Sequence, residues 1–167
     1  MKRDNRAFER NKDSGLYTAT LPLSSEDIVA MAKKLLGRRF RRGSHMRDPA
    51  MTKNFAEVEL ASTDREIFAA IFLDNRHRVI AFEKLFFGTI DNTTVYPRVV
   101  VKRALDHNAA AVVFAHNHPS GNTDPSEADR LITRRLVDSL ELIDVRVLDH
   151  IVVGSDPPTS LAERGWL

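Results

Sequence analysis

The stretch Ala111-Val112-Val113-Phe114-Ala115-His116-Asn117-His118-Pro119 constrains this chain more than any other. Its first five residues form a short apolar run that reads as a buried strand. In extended backbone residues i and i+2 point the same way, so His116 and His118 face one side together. Pro119 has no N–H for a ladder bond and ends the strand. Ser120 to Pro125 is loop chemistry, and Ser126-Glu127-Ala128-Asp129 opens a helix. A ligand in the first turn of that helix can swing back over the strand end. Two imidazoles and a carboxylate suit a zinc ion with one open tetrahedral position, where bound water becomes a nucleophile near neutral pH. Each part also has a plainer reading. A lone histidine is usually a satisfied polar residue, and Ser-x-x-Asp before a helix is a capping arrangement. Two same-facing histidines ending one apolar strand favour the metal.

The chain has no cysteine, which removes disulfides, thiolate zinc sites and cysteine nucleophiles together and fits a cytosolic location. No stretch approaches the roughly 18 apolar residues needed to span a bilayer, and the polar N-terminus is no signal peptide. A cytoplasmic protein without membrane contact is therefore expected. With 167 residues, 43% of them hydrophobic, there is enough material for one full core and a small appendage.

Charge is unevenly spread. Residues 1–48 carry 12 Lys/Arg against 6 Asp/Glu, whereas the remainder carries 13 against 17. The excess peaks at Arg38-Arg39-Phe40-Arg41-Arg42. Weak nucleic-acid contact through Arg38, Arg39, Arg41 and Arg42 is one reading of this cluster. A solvated helix end, where cations meet the negative pole of the macrodipole, is the stronger one for so small a footprint.

Along the chain, residues 1–21 are polar, lack periodicity and are expected to be mobile. Ser24 and Asp27 stand at capping-box spacing ahead of Ile28, Met31, Ala32 and Leu35, with Gly37 as the expected stop. Arg38 to Arg47 reads as a connector, and a second helix begins near Asp48-Pro49 and runs towards Leu60. Ile67 to Leu73 and Val79 to Phe87, joined by Asp74-Asn75-Arg76-His77, form a hairpin signal. Tyr96-Pro97 starts a helix carrying Val100, Val101, Ala104 and Leu105. The helix from Ser126 to about Leu142 carries an apolar stripe of Leu131, Ile132, Leu136 and Leu140. Val145 to Leu148 and His150 to Val153 read as two short strands. Strands interspersed with helices give an α/β domain, a mixed β-sheet flanked by helices.

A hydrolytic zinc site needs a group to take a proton from water and deliver it to the leaving atom. Glu66, heading the first core strand, and Glu83, on its hairpin partner, are the two serious candidates. Ser126 is placed to cap its helix or to donate to a developing oxyanion.

The helix motif His-Glu-x-x-His is absent, and the nucleobase deaminases are excluded because their zinc needs cysteines. The remaining pattern, His-x-His-Pro, a loop, then Ser-x-x-Asp, resembles the JAMM metalloprotease motif of the JAB/MPN fold. Phe86-Phe87-Gly88-Thr89-Ile90, Val95-Tyr96-Pro97-Arg98, Ala104 to Gly121, Val147-Leu148-Asp149-His150 and Ala162-Glu163-Arg164-Gly165-Trp166-Leu167 are similar to the bacterial RadC family. The resemblance covers about residues 49–167. It implies a JAB/MPN, cytidine-deaminase-like architecture in that part, behind a basic, partly disordered and helical N-terminal extension at residues 1–48.

By position, the resemblance makes His116, His118 and Asp129 ligands of Zn2+. It makes Ser126 the serine that assists the tetrahedral intermediate and Glu66 the acid/base, with Glu83 ranked second. It implies a zinc-dependent hydrolase that cleaves a peptide or isopeptide bond in a peptide or protein substrate. Two departures from the family pattern stand out. Val99 follows Tyr96-Pro97-Arg98 where RadC-like sequences usually have Glu, and the helix-hairpin-helix module of longer RadC proteins is not evident. A DNA-repair or mobile-element accessory protein with a structural or vestigial metal site is the alternative function. A metal-free scaffold is disfavoured, because all the motif's ligands are present.

Overall fold

Ile67–Leu73 is buried at every position and forms the second strand from one edge of a five-stranded sheet. The computed structural model describes residues 7–39, 42–46, 48–60, 63–88 and 94–167, without the side chain of Arg39. In chain order the elements are β1 (Phe8–Arg10), β2 (Tyr17–Ala19), α1 (Ser25–Arg39), α2 (Pro49–Leu60), β3 (Ile67–Leu73) and β4 (Val79–Phe87). They continue with α3 (Pro97–Asp106), β5 (Ala111–Asn117), α4 (Glu127–Glu141), β6 (Arg146–Val153) and β7 (Thr159–Ser160). The sheet order is β4-β3-β5-β6-β7, antiparallel at every pair except β5 with β6. The expected α/β class with a mixed sheet is what forms.

Strand periodicity sorts the two faces. Ile67, Ala69, Ile71 and Leu73 meet Val113, Ala115, Ile151 and Val153 beneath Phe55, Ala56 and Leu60 of α2. On the opposite face Phe68, Ala70, Phe72, Val112 and Phe114 pack under Val100 and Ala104 of α3 and Leu136 and Leu140 of α4. Phe68 lies across from His116 in the β3–β5 register, so the even-numbered residues at that strand end share the face covered by α3 and α4.

Several local expectations need correction. Residues 8–19 form a hairpin, because the Asn11 side chain accepts the Asp13 and Ser14 amides and Gly15 takes φ +73° to close the turn. Helix α1 runs through Gly37 to Arg39, since an interior glycine weakens a helix without ending it. Leu131 and Leu105 are exposed, and Thr133 holds a buried place on α4 instead. The two short strands around Asp149 are one, β6. The Asp149 carboxylate is satisfied there by the Ser160 hydroxyl and the amides of His150 and Ala162, so it does not break the strand.

Of the basic cluster, Arg38 and Arg42 are exposed. Arg41 and the Arg39 side chain lie outside the described residues. After Arg42 the chain attaches to the edge of the sheet, with His45 bridged to Arg78. Among the described residues, no helix is long and apolar enough to cross a membrane.

Candidate metal centre

His116 and His118 stand at the end of β5, and Asp129 in the first turn of α4 closes over them. His116 Nε2 lies 2.9 Å from His118 Nε2 and 3.2 Å from Asp129 Oδ1, and His118 Nε2 lies 3.5 Å from Asp129 Oδ2. Among the described residues these three make up the one group of His, Asp and Glu side chains arranged to hold a metal ion. Zinc bonds of roughly 2.0–2.1 Å in a tetrahedron set donor–donor edges of about 3.3 Å. The separations, measured to one or the other Asp129 oxygen, lie near that value, and the nitrogen–oxygen donor set is one zinc takes, so the residues fit the ion.

Neighbouring groups hold each donor in place. His118 Nδ1 lies 2.8 Å from the Asn122 carbonyl, which only accepts; Nδ1 therefore carries a proton, and Nε2 is the ring nitrogen that faces the cluster. The loop supplying that carbonyl is pinned to the end of β6, where Ser155 N donates to Gly121 O at 2.7 Å. Asp129 sits in a complete capping box. Ser126 N and Ser126 Oγ donate to its Oδ2 at 2.7 and 2.6 Å, while Asp129 N donates back to Ser126 Oγ at 3.1 Å. Ser126 thus caps the helix, and its hydroxyl proton is engaged with the carboxylate. His116 is almost fully buried beside Phe68 and contacts His150, which is itself fully buried.

Electrostatics follow from this packing. Hydrogen bonding to Asp129 raises the His118 pKa, aided by the nearby negative charge of Glu66. Burial works to raise the Asp129 carboxyl, but the adjoining imidazoles of His116 and His118 outweigh it and hold the acid well below the usual carboxylate range. Burial, with repulsion from His116, holds His150 well below the ordinary histidine value and keeps its ring uncharged.

Glu66 immediately precedes β3 and is half-buried. The pairing of Phe68 with His116, continued two residues outward, sets Glu66 across from His118 on the same face. Asn117 holds that end of the strand. Its amide oxygen accepts Ile67 N at 2.9 Å, and its amide nitrogen donates to Arg65 O at 3.0 Å. The Gly88 amide donates to Glu66 O at 2.8 Å, which ties the edge strand to the same point. Glu83 is placed differently. It pairs across from Ala70, further down β3, and its carboxylate is engaged by the Arg103 guanidinium and by His107 at 2.7 Å. Hydrogen bonding to Arg103 lowers its pKa, and it takes no part in the histidine cluster.

Sequence reasoning missed Asn117, Asn122, Thr133 and His150 as parts of this centre. Signals for two of them exist. Asn117 is a polar residue between two candidate ligands, and Thr133 lies four positions after Asp129, on the same helix face.

Residues 46–166 match the family described as RadC-like JAB domain. A UPF0758 protein of Xanthomonas euvesicatoria pv. vesicatoria is 56% identical over 139 residues, 83% of this chain and 62% of that protein. One from Vibrio cholerae serotype O1 is 51% identical over 157 residues, 94% of this chain and 99% of that protein. Another, from Pseudomonas fluorescens, is 53% identical over the full chain and 73% of its own length. The chain spans less than two thirds of the length of the Xanthomonas relative.

Proposed function

Because the chain belongs to the RadC-like JAB domain family, we propose that it is a zinc-dependent hydrolase of the JAMM type, cleaving a peptide or isopeptide bond. The observation that carries the reading is the convergence of His116 Nε2, His118 Nε2 and the Asp129 carboxylate within 3.5 Å of one another, with Glu66 on the same face. His116, His118 and Asp129 would hold the ion, which would supply Lewis acidity to lower the pKa of a water towards ~7.

The protein's own groups supply the rest. Glu66 takes a proton from the attacking water and delivers it to the leaving nitrogen, which balances the hydrolysis. Asn117 fixes the backbone on both sides of Glu66, at the strand end that pairs with the His116–His118 end of β5. Ser126 orients Asp129, and rotation of its O–H redirects the same proton to a developing oxyanion.

Metal analysis coupled to a peptide-library cleavage assay tests this reading. One Zn2+ per chain is expected, lost in His118→Ala. Cleavage is expected to fall by roughly 10²–10⁴-fold in Glu66→Gln. Equal cleavage by wild type and Glu66→Gln removes Glu66 from the acid/base role, and no cleavage by either removes the hydrolase. DNA affinity that falls steeply with salt, and disappears when Arg38, Arg39, Arg41 and Arg42 are neutralised, moves the function to nucleic acid.

A further inference from the structure

Behind the ligand cluster a chain of hydrogen bonds runs into the core. His116 Nδ1 lies 2.8 Å from His150 Nε2, His150 Nδ1 lies 2.6 Å from Thr133 Oγ1, and Thr133 Oγ1 lies 2.5 Å from the Asp129 carbonyl. His116, Thr133 and His150 are all at most 1% exposed, so water does not complete their hydrogen bonding. The direction of this chain follows from its last member. A carbonyl oxygen accepts and never donates, so Thr133 spends its single proton on Asp129 O. Thr133 Oγ1 must then accept from His150 Nδ1–H. An imidazole bearing one proton, on Nδ1, offers an electron pair at Nε2, so His150 accepts from His116 Nδ1–H. Donation by His150 at both nitrogens would need a charged ring in a fully buried site, which is costly.

We infer that His150 and Thr133 are positioning residues that fix the tautomer of His116, turning its Nε2 electron pair towards His118 and Asp129. The same helix therefore contributes to the centre twice. Asp129 presents its carboxylate to the front, and its carbonyl orders the proton chain behind. Phe68 and Phe114 pack against the His150 ring at 5.3 and 6.0 Å and hold its plane. The Nε2 atoms of His116 and His118 then face the Asp129 carboxylate within 3.5 Å, an arrangement that suits a bound cation. Groups that orient a ligating histidine in this way are worth about 10–100-fold in metal affinity.

The inference rests on the metal reading of the centre, and its test separates the two. Two-bond ¹H–¹⁵N spectra of the metal-free full-length chain report each histidine's tautomer, and Zn2+ titration against a competing chelator reports affinity. Wild type is expected to show His116 protonated on Nδ1. His150→Phe is expected to lose about 10–100-fold in Zn2+ affinity. His150→Gln, whose amide oxygen approaches the position of Nε2, is expected to recover most of that loss. Thr133→Val removes the end of the chain and is expected to mix the His116 tautomers.

A wild-type His116 protonated on Nε2 overturns the inference, as does His150→Phe binding Zn2+ within twofold of wild type. If His150→Phe does not fold, the wild-type and Thr133→Val spectra decide the question. An unchanged His116 tautomer in Thr133→Val then overturns the relay. A wild-type chain that takes up no Zn2+ overturns the metal reading itself, while the metal-free spectra still decide the tautomer.

Discussion

Ser126 and Asp129 bond reciprocally across the first turn of α4, and the carboxylate that completes the helix cap also faces the two histidines. Capping and the placement of the candidate ligand therefore coincide in one geometry. The Oδ2 atom takes the two donors from Ser126, which leaves Oδ1 turned to His116.

Ser126→Ala should therefore weaken stability and metal binding together. Loss of a serine cap costs about 1 kcal/mol, or roughly 2–4 °C in Tm for a chain of this size. Zn2+ affinity should fall in the same variant, because Asp129 loses the Ser126 hydroxyl that helps to orient it. Differential scanning calorimetry with and without Zn2+ reads both. A lowered Tm with undiminished affinity would show that the cap does not orient the ligand.

Asn117→Ala should separate metal binding from turnover. Asn117 is 2% exposed, and its removal leaves the Ile67 amide and the Arg65 carbonyl without their partner. A cost of about 2–3 kcal/mol is expected. Zn2+ stoichiometry should persist, since His116 and His118 are held from other directions, while hydrolysis falls as Glu66 loses its anchor. Asn117→Asp keeps the acceptor for Ile67 and should be intermediate. Loss of Zn2+ from Asn117→Ala would contradict this division.

The pH dependence has a definite sign. The His118 pKa is raised from 6.5, first by hydrogen bonding to Asp129. Its contribution to the metal-free fold is complete below 6.5 and is lost as pH rises through the folded value. Asp129 is depressed, so its contribution is present above about 3.9 and is lost as pH falls. His150, also depressed, loses stability as pH falls below 6.5 and partly offsets His118. A metal must displace the His118 proton, so the Tm increase produced by Zn2+ should grow as pH rises above 6.5. Equal increases at pH 6 and pH 8 would contradict the assignment.

Two glycines should respond in opposite directions to alanine. A Cβ on Gly154 would fall well inside van der Waals contact with the Gly121 carbonyl, in the loop that positions Asn122 and hence His118. Gly154→Ala should lower Tm and Zn2+ affinity together. Gly37 lies inside α1 with open space around it, and Gly37→Ala should stabilise by about 0.5–1 kcal/mol. Thermal melts of both variants check the contrast.

Much of the architecture was legible because its signals are local. The apolar runs at Ile67–Leu73 and Ala111–Ala115, the Asp48-Pro49 and Tyr96-Pro97 starts and the two capping boxes depend on residues within a few positions of one another. The failures were also local in kind. Around Asp149 a charged residue suggested a break, which partners 11 and 13 positions away repair. On α4 periodicity favoured Leu131 for the core, but the helix is rotated so that Thr133 is buried and meets His150.

The sequence by itself determined the donor set. Two histidines on one face of a strand and an aspartate in the next helical turn are fixed by backbone periodicity and capping chemistry, both short-range. Only the tertiary structure decided which groups stand around those donors. Ile67, next to Glu66, meets Asn117 through strand pairing over 50 residues of chain, and His116 meets His150 across 34. Such contacts depend on sheet order and helix rotation, which the whole core sets, so no window along the chain contains them. That is why Glu66 could be separated from Glu83 only by ranking in the sequence, whereas in the structure Arg103 and His107 engage Glu83 away from the centre.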